Sequence, residues 1–325
     1  MPEPRIGGGP RVRGLDKDIS RIGLGTAWCT LENTDQCWPV FDAFVERGGT
    51  VFDTAPVYGE SEAALGGWLG KRGARDGIVI ITKGAHGDGG GVSPEDFEAV
   101  VDAELGASFE ALQTDYIDLY LLHRENARVP VPKLVQKLSA LVESERVRAY
   151  GISNAHYPRF EEACRYAQES GLVPPVAVSN NLALAASTEA FWLGAVSVDA
   201  EGERWHERTQ MPLFSWSSTA MGFFTGLFTP EGVRGAEGQK AGGAAGRILE
   251  VYGTEENFER LRRAEEMGRR KGGFTAVEVA LAWVLGRPFP VVPLVGPQTV
   301  EQLHSCVRAT SLSLSEDEIR WLERA

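Results

Sequence analysis

Four residues with acid–base chemistry fall at the ends of successive apolar runs. Asp53 closes VFD, Lys83 closes IVIITK, and His123 closes YIDLYLLH. Tyr58 follows Asp53 by five residues in FDTAPVYG. Each has a plain reading alone: a helix cap or satisfied acid, a solvated lysine, a hydrogen-bonded core histidine, a packed loop tyrosine. Together they offer a carboxylate, an ammonium, an imidazole and a phenol, the parts needed to hand a proton to a reacting oxygen. A phenol has an ordinary pKa of about 10. A neighbouring ammonium favours the phenolate and lowers that value by about 1–3 units, the part expected of Lys83. Asp53 would hold Lys83 charged and in place, and His123 would donate to the substrate oxygen or orient it.

Convergence of these residues requires a scaffold that brings strand ends to one place. Strands are predicted over 21–28, 50–55, 78–84, 116–123, 148–154, 176–181, 212–218 and 291–296. Several are continuous apolar runs, as in strands buried on both faces of a parallel sheet. Amphipathic helices are expected between them, in SEAALGGWLGKR, PVPKLVQKLSALVESER, HYPRFEEACRYAQESG, TEENFERLRRAEEMGRRKG, TAVEVALAWVLGRP and TVEQLHSCVRAT. Another is expected from Ser93 with Pro94 at its first position, and SEDEIRWLERA closes the chain. This βα alternation over about 300 residues predicts an α/β fold, a (β/α)8 TIM barrel, with an open doubly wound sheet as the alternative. Catalytic groups of such barrels sit at the C-terminal ends of the strands. Two long segments, 182–211 and the Gly- and Ala-rich 222–253, follow strands on that face and are read as extended mouth loops.

Composition narrows the partners. The 325 residues carry 33 basic and 45 acidic side chains, a net charge of −12. That balance excludes a nucleic-acid or anionic-membrane surface, which needs a basic face. No apolar run reaches the ~18 residues of a membrane span, and the N-terminus lacks the apolar stretch of a secretory signal. The four cysteines form no CxxC pair and the five histidines no paired spacing, so neither a disulfide framework nor a metal site is expected and a cytoplasmic setting is. The 38 glycines are scattered and suit tight connections. No composition break divides the chain, which is read as a single domain, 1–325. GLGTAW is not a dinucleotide phosphate loop, because Trp28 stands where a third glycine is needed and no helix is expected there.

The strings GLGTAW (23–28), FDTAPVYGESEAALG (52–66), TKG (82–84), DYIDLYLLH (115–123), GISN (151–154), SWSSTAMGFFTG (215–226) and VVPLVGPQTVEQL (291–303) occur in an order that resembles the aldo-keto reductases over about residues 10–312. The resemblance implies a (β/α)8 barrel that reduces an aldehyde or ketone, keto-sugars and other polar carbonyls included, with a nicotinamide cofactor. Asp53, Tyr58, Lys83 and His123 would be its catalytic tetrad. The resemblance places Gly25, Thr26 and Ala27 beside the nicotinamide, along with Asp53. Ser153, Asn154 and Ser179 would meet the carboxamide, Ser179 standing where many members have glutamine. Trp216 would stack on the ring, and Ser217 and the loop through Gly222 would approach the pyrophosphate. Members that prefer NADPH usually carry Lys or Arg after the eighth strand. Here Gly296, Pro297, Gln298 and Gln302 occupy that stretch, so NADPH is expected as the family default with NADH or dual use open. Trp28, His86, Arg124 and Trp192 are candidates for the substrate pocket, with Trp205 sharing the inserted segment. Arg124 is expected to pair with Glu125 or another acid, or else to meet an anionic or polyhydroxylated substrate. The partner is a small carbonyl compound, and the protein is expected to be a monomer. Two other readings remain open: a barrel lyase forming a Schiff base on Lys83, and a non-catalytic nucleotide-binding sensor.

Overall fold

A computed structural model describes residues 4–87, 92–230 and 244–324. Eight strands run parallel and close in sequence order into a barrel: β1 (Gly23–Gly25), β2 (Val51–Asp53), β3 (Val79–Gly84), β4 (Ile117–Leu122), β5 (Val147–Ser153), β6 (Val178–Ser179), β7 (Leu213–Ser215) and β8 (Val291–Val295). The barrel reading holds, and the open sheet does not. The strands are shorter than their apolar runs suggest. Past their ends the chain continues through single backbone bonds, Thr26 N to Asp53 O and Thr54 N to Ile81 O.

Alternation along the strands sorts the core into two layers. Val51, Val79, Ile81, Leu119, Leu121, Phe214 and Val292 fill the barrel interior. Phe52, Ile80, Tyr120 and Leu122 face outward against the helices. The same parity turns Asp53, Lys83 and His123 inward, one step above the last interior apolar layer. Gly84 faces outward, where a Cβ would lie 1.8 Å from the Tyr120 hydroxyl. Only glycine lets that tyrosine pack beneath the strand end.

The helix layer comprises α1 (Thr34–Glu46), α2 (Ser61–Arg72), α3 (Phe97–Leu112), α4 (Val131–Glu143), α5 (Tyr157–Ser170), α6 (Ala200–Thr209), α7 (Ala244–Tyr252), α8 (Glu255–Arg270), α9 (Ala276–Leu285), α10 (Val300–Ala309) and α11 (Glu316–Glu323). Thr254, Thr275, Thr299 and Ser315 cap α8 to α11 through their hydroxyls, as expected of such side chains. Ser93 does not begin α3. Its hydroxyl accepts from Asp96 N and forms a turn ahead of a helix that starts at Phe97. α1 was not expected, since Pro39 lies inside it.

Segment 182–211 is not all loop, because it contains α6. Trp205 therefore belongs to the helix layer, packed on Tyr157 at 4.7 Å with its indole donating to Glu161. In 222–253, α7 occupies the last part, and residues 231–243 lie outside the described residues. The N-terminal segment closes the other end of the barrel, with Val12, Leu15 and Ile19 packed on the interior cluster. Among the described residues no helix is long and apolar enough to cross a membrane, and no group of His, Cys, Asp and Glu is placed to hold a metal.

Candidate active site

The C-terminal ends of the strands open into a cleft of about 1200 Å3. Lys83 is its electrostatic centre. The Lys83 ammonium donates to Asp53 Oδ1 at 2.6 Å, to Thr54 O at 3.0 Å and to the Tyr58 hydroxyl at 3.2 Å. Lys83 is 2% exposed and Asp53 5%, so water screens neither. Burial disfavours the ammonium, but Asp53 and Tyr58 outweigh burial and its pKa lies above the ordinary lysine value. Burial pushes the Tyr58 phenol up, and Lys83 only partly pulls it back. This corrects the expectation that the ammonium would lower Tyr58 overall. The desolvation cost of the phenolate exceeds the attraction of a cation already paired to Asp53. Tyr58 therefore stays protonated and keeps its own O–H to give.

The segment that carries Tyr58 is pinned from behind. Thr26 Oγ1 and Ser61 Oγ lie 2.6 Å apart, and Thr54 Oγ1 is 2.9 Å from the same Ser61 Oγ. Ser61 also donates to Thr26 O, and Thr26 to Asp53 O. These hydroxyls fix both ends of the turn Pro56–Tyr58. The string FDTAPVYGES thus divides into side chains that face the cleft and side chains that hold them. Thr26, from GLGTAW, acts with the second group and is not on the cleft wall.

His123 lies 5.8 Å from the Tyr58 ring, centroid to centroid, in an edge-on arrangement. Burial, then the nearby Lys83, pushes its pKa down to about 2. The imidazole is neutral, and its Nδ1 is buried without a partner. Its backbone oxygen accepts from Asn154 Nδ2, which ties β4 to the end of β5.

Gly25, Ala27, Ser153, Asn154, Trp216, Ser217, Gly222, Gly296, Gln298 and Gln302 all line the cleft, as do Trp28, His86, Arg124 and Trp192. Ser179 does not. It is fully buried, and its backbone carbonyl accepts from Asn154 N and Ser153 Oγ. Its short side chain ends below the wall. Ser153 and Asn154 are also more engaged than expected. The Asn154 amide donates to His123 O and Ser153 Oγ, while its oxygen accepts from Val196 N. Each side-chain oxygen keeps one lone pair and neither group keeps a donor hydrogen, which suits an amide NH2 arriving from a ligand. Arg124 does not pair with Glu125. Glu125 is taken by Arg159 and His156 N.

The sequence reading missed part of the wall. Glu265 from α8, and Thr275, Ala276 and Val277 at the start of α9, face the cleft beside Gln302 and Ser305. Only the fold brings them there, since they lie between strands and form no motif. Val57, Met221 and Leu227 also line it, and their signal is exposure despite apolar character.

A closed parallel barrel whose strand ends present a buried ion pair, a protonated phenol and a neutral imidazole in one cleft has the architecture of a barrel enzyme. The sequence profile of the Aldo/keto reductase family matches residues 21–325, and the chain belongs to that family. It is 29% identical over 312 residues to norsolorinic acid reductase B of Aspergillus parasiticus, covering 90% of this chain and 74% of that one. It is 26% identical to an aryl-alcohol dehydrogenase of Pestalotiopsis microspora, covering 94% and 77%. An aldo/keto reductase of Klebsiella pneumoniae, solved with NADP and acetate, shares the fold with a TM-score of 0.67 at 21% identity, over 94% of this chain and 91% of that one.

Proposed function

We propose that the protein reduces an aldehyde or ketone to an alcohol, taking hydride from a reduced nicotinamide and a proton from Tyr58. One observation carries this reading: the Lys83 ammonium bridges Asp53 at 2.6 Å and Tyr58 at 3.2 Å within the cleft.

The bound nicotinamide would supply the hydride. The chain's own residues must then stabilise and protonate the oxygen. Tyr58 donates its O–H to the carbonyl oxygen as charge develops there. Lys83, held charged by Asp53, stabilises the phenolate left behind. The neutral His123 orients the carbonyl by hydrogen bonding, and Tyr58 recovers its proton from solvent. Lys83 suits this role better than imine formation, which needs an amine of lowered pKa. The cleft fits the cofactor chemically. Trp216 offers a ring face with a buried, unpartnered indole N–H, and Ser153 and Asn154 offer acceptors. Gly296 and Gly222 leave open space, with nothing nearer than 3.6 Å to an added Cβ. The Klebsiella pneumoniae structure holds NADP, and NADPH is the cofactor proposed here. Because no basic side chain stands at Gly296–Gln298 or Gln302, NADH also enters the proposal.

Oxidation of NADPH and NADH should be followed across aldehydes, ketones and keto-sugars. The reading expects turnover by the wild type and none by Tyr58→Phe, which still binds cofactor by nucleotide fluorescence. Full activity of Tyr58→Phe would refute the acid assignment. Trapping of substrate on Lys83 by borohydride would favour the lyase.

A further inference from the structure

Arg124 follows His123 directly, and its guanidinium is half-buried on the cleft wall. Its Nε donates to His86 Nε2 at 3.1 Å, and its Nη1 to Leu193 O. The partners are a ring nitrogen and a carbonyl oxygen. No carboxylate pairs with Arg124 among the described residues, and Nη2 carries no bond there. Arg21 and Arg260, also half-buried, likewise meet only carbonyl and amide oxygens, but neither lines the cleft. Most of the other half-buried arginines are paired with acids. Arg75 meets Asp118, Arg159 meets Glu125, and Arg287 meets Glu203 and Glu323. A guanidinium withdrawn from water without an anion is a costly arrangement that an anionic ligand would relieve.

The surrounding wall has the same imbalance. The buried indole nitrogens of Trp28 and Trp216, both lining residues, have no acceptor. Asp53 is already held by Lys83. The other acid on the wall is Glu265, from α8, and it makes no ion pair with Arg124. The Arg124 side is also apolar and aromatic. Trp192 packs on Trp216 with ring centroids 5.5 Å apart and planes at 50°, and Trp192 and Val57 are 45% and 47% exposed. Arg124 in turn holds Leu193, the residue after Trp192, so one side chain both anchors the aromatic wall and presents charge beside it.

We propose that the substrate is an aromatic carbonyl compound bearing a carboxylate, and that Arg124 binds that carboxylate while Trp192 covers the ring. This rests on the reductase reading above and names its substrate class. Arg124 is thereby a specificity-determining residue, set beside the reacting groups.

The test compares ortho-, meta- and para-carboxybenzaldehyde with their methyl esters, using reduced nicotinamide. The ester withdraws electrons more strongly, so intrinsic reactivity favours it and a preference for the acid must come from the protein. For at least one isomer the wild type should give a kcat/KM about 10-fold above that of its ester, as a charge-assisted contact supplies. Arg124→Met should bring that ratio to one or below, and Arg124→Lys should keep part of it. Benzoate should inhibit benzaldehyde reduction about 10-fold more strongly than benzamide, a readout on the wild type that stands if a variant fails to fold. A wild type that prefers no acid over its ester overturns the inference alone, and so does an Arg124→Met variant that keeps the ratio. Absence of turnover on every aldehyde with either cofactor overturns the reductase reading and this inference with it.

Discussion

The barrel carries a buried cation–carboxylate cluster at each end, and the two are built on opposite principles. At the N-terminal end Asp118 is 2% exposed. It takes Lys17 at 2.9 Å on one oxygen, and Arg75 at 2.8 Å and Ile80 N at 2.9 Å on the other. Lys17 also donates to Ile78 O and the Tyr116 hydroxyl, and Arg75 to Thr114, Ile78 O and Tyr116 O. The Arg75 guanidinium lies 3.8 Å from the centroid of the Tyr116 ring. The capacity of Asp118 and Lys17 is used, and the result ties the N-terminal segment to β3 and β4. At the mouth, one lysine holds one acid and one phenol, while the Tyr58 O–H, His123 Nδ1 and two indole N–H groups stay unspent. Saturated polar clusters fix structure, whereas clusters with spare donors await a ligand.

The comparison predicts that equivalent damage has different consequences at the two ends. Lys83→Met should lower kcat/KM by about 100- to 1000-fold, because the charge beside Tyr58 disappears; steady-state kinetics checks this. Asp118→Asn should cost about 3–5 kcal/mol of stability, the range for breaking a buried ion pair. Its kcat/KM below the unfolding transition should stay within about 3-fold of wild type, read by denaturant titration beside kinetics.

His206 sharpens the rule. It too has a buried, unpartnered nitrogen, Nε2, but it stacks on Phe289 at 5.1 Å and faces no cleft. An orphan nitrogen marks a site only where a cavity meets it. Burial pushes the His206 pKa down to about 4. The unfolded chain therefore binds a proton that the native chain refuses between about pH 6.5 and 4. Through that window His206 should lower stability by about 1.4 kcal/mol per pH unit as pH falls. The stability difference between wild type and His206→Phe, measured by denaturant titration at each pH, should shift toward the variant with that slope. The smallest effect is expected at the far end of the cleft. Gln298→Arg should raise the affinity for NADPH relative to NADH about 10-fold, a cation replacing an amide where the proposal sets the adenosine phosphate. An unchanged ratio in fluorescence titrations would place that phosphate elsewhere.

The mouth was more legible in the sequence than the base, for a physical reason. Asp53, Lys83 and His123 each end an apolar run, so a period of two and a closed sheet suffice to aim them at one point. Lys17, Arg75 and Asp118 come from a coil, a turn and a strand start, and no local pattern joins them. The misses at the mouth have the same origin. Thr26 lies in the right string and Ser179 ends a strand, but one side chain turns back to Ser61 and the other does not line the cleft. Trp192 and Trp205 could not be told apart until α6 claimed the second. Glu265 and Thr275 reach the cleft only because α8 and α9 fold over it.

Two tyrosines make the decisive pair, since each phenol accepts a hydrogen bond from a carboxylate-paired lysine, Tyr58 from Lys83 at 3.2 Å and Tyr116 from Lys17 at 3.0 Å. The same atom is removed by Tyr58→Phe and Tyr116→Phe, and kcat/KM for a common aldehyde is measured on both. The account predicts a loss of about 100- to 10000-fold for Tyr58→Phe, the range of a lost general acid. For Tyr116→Phe it predicts a kcat/KM within about 3-fold of wild type, with about 1 kcal/mol of stability lost. Retained activity in Tyr58→Phe, or an equal loss in both variants, would contradict it.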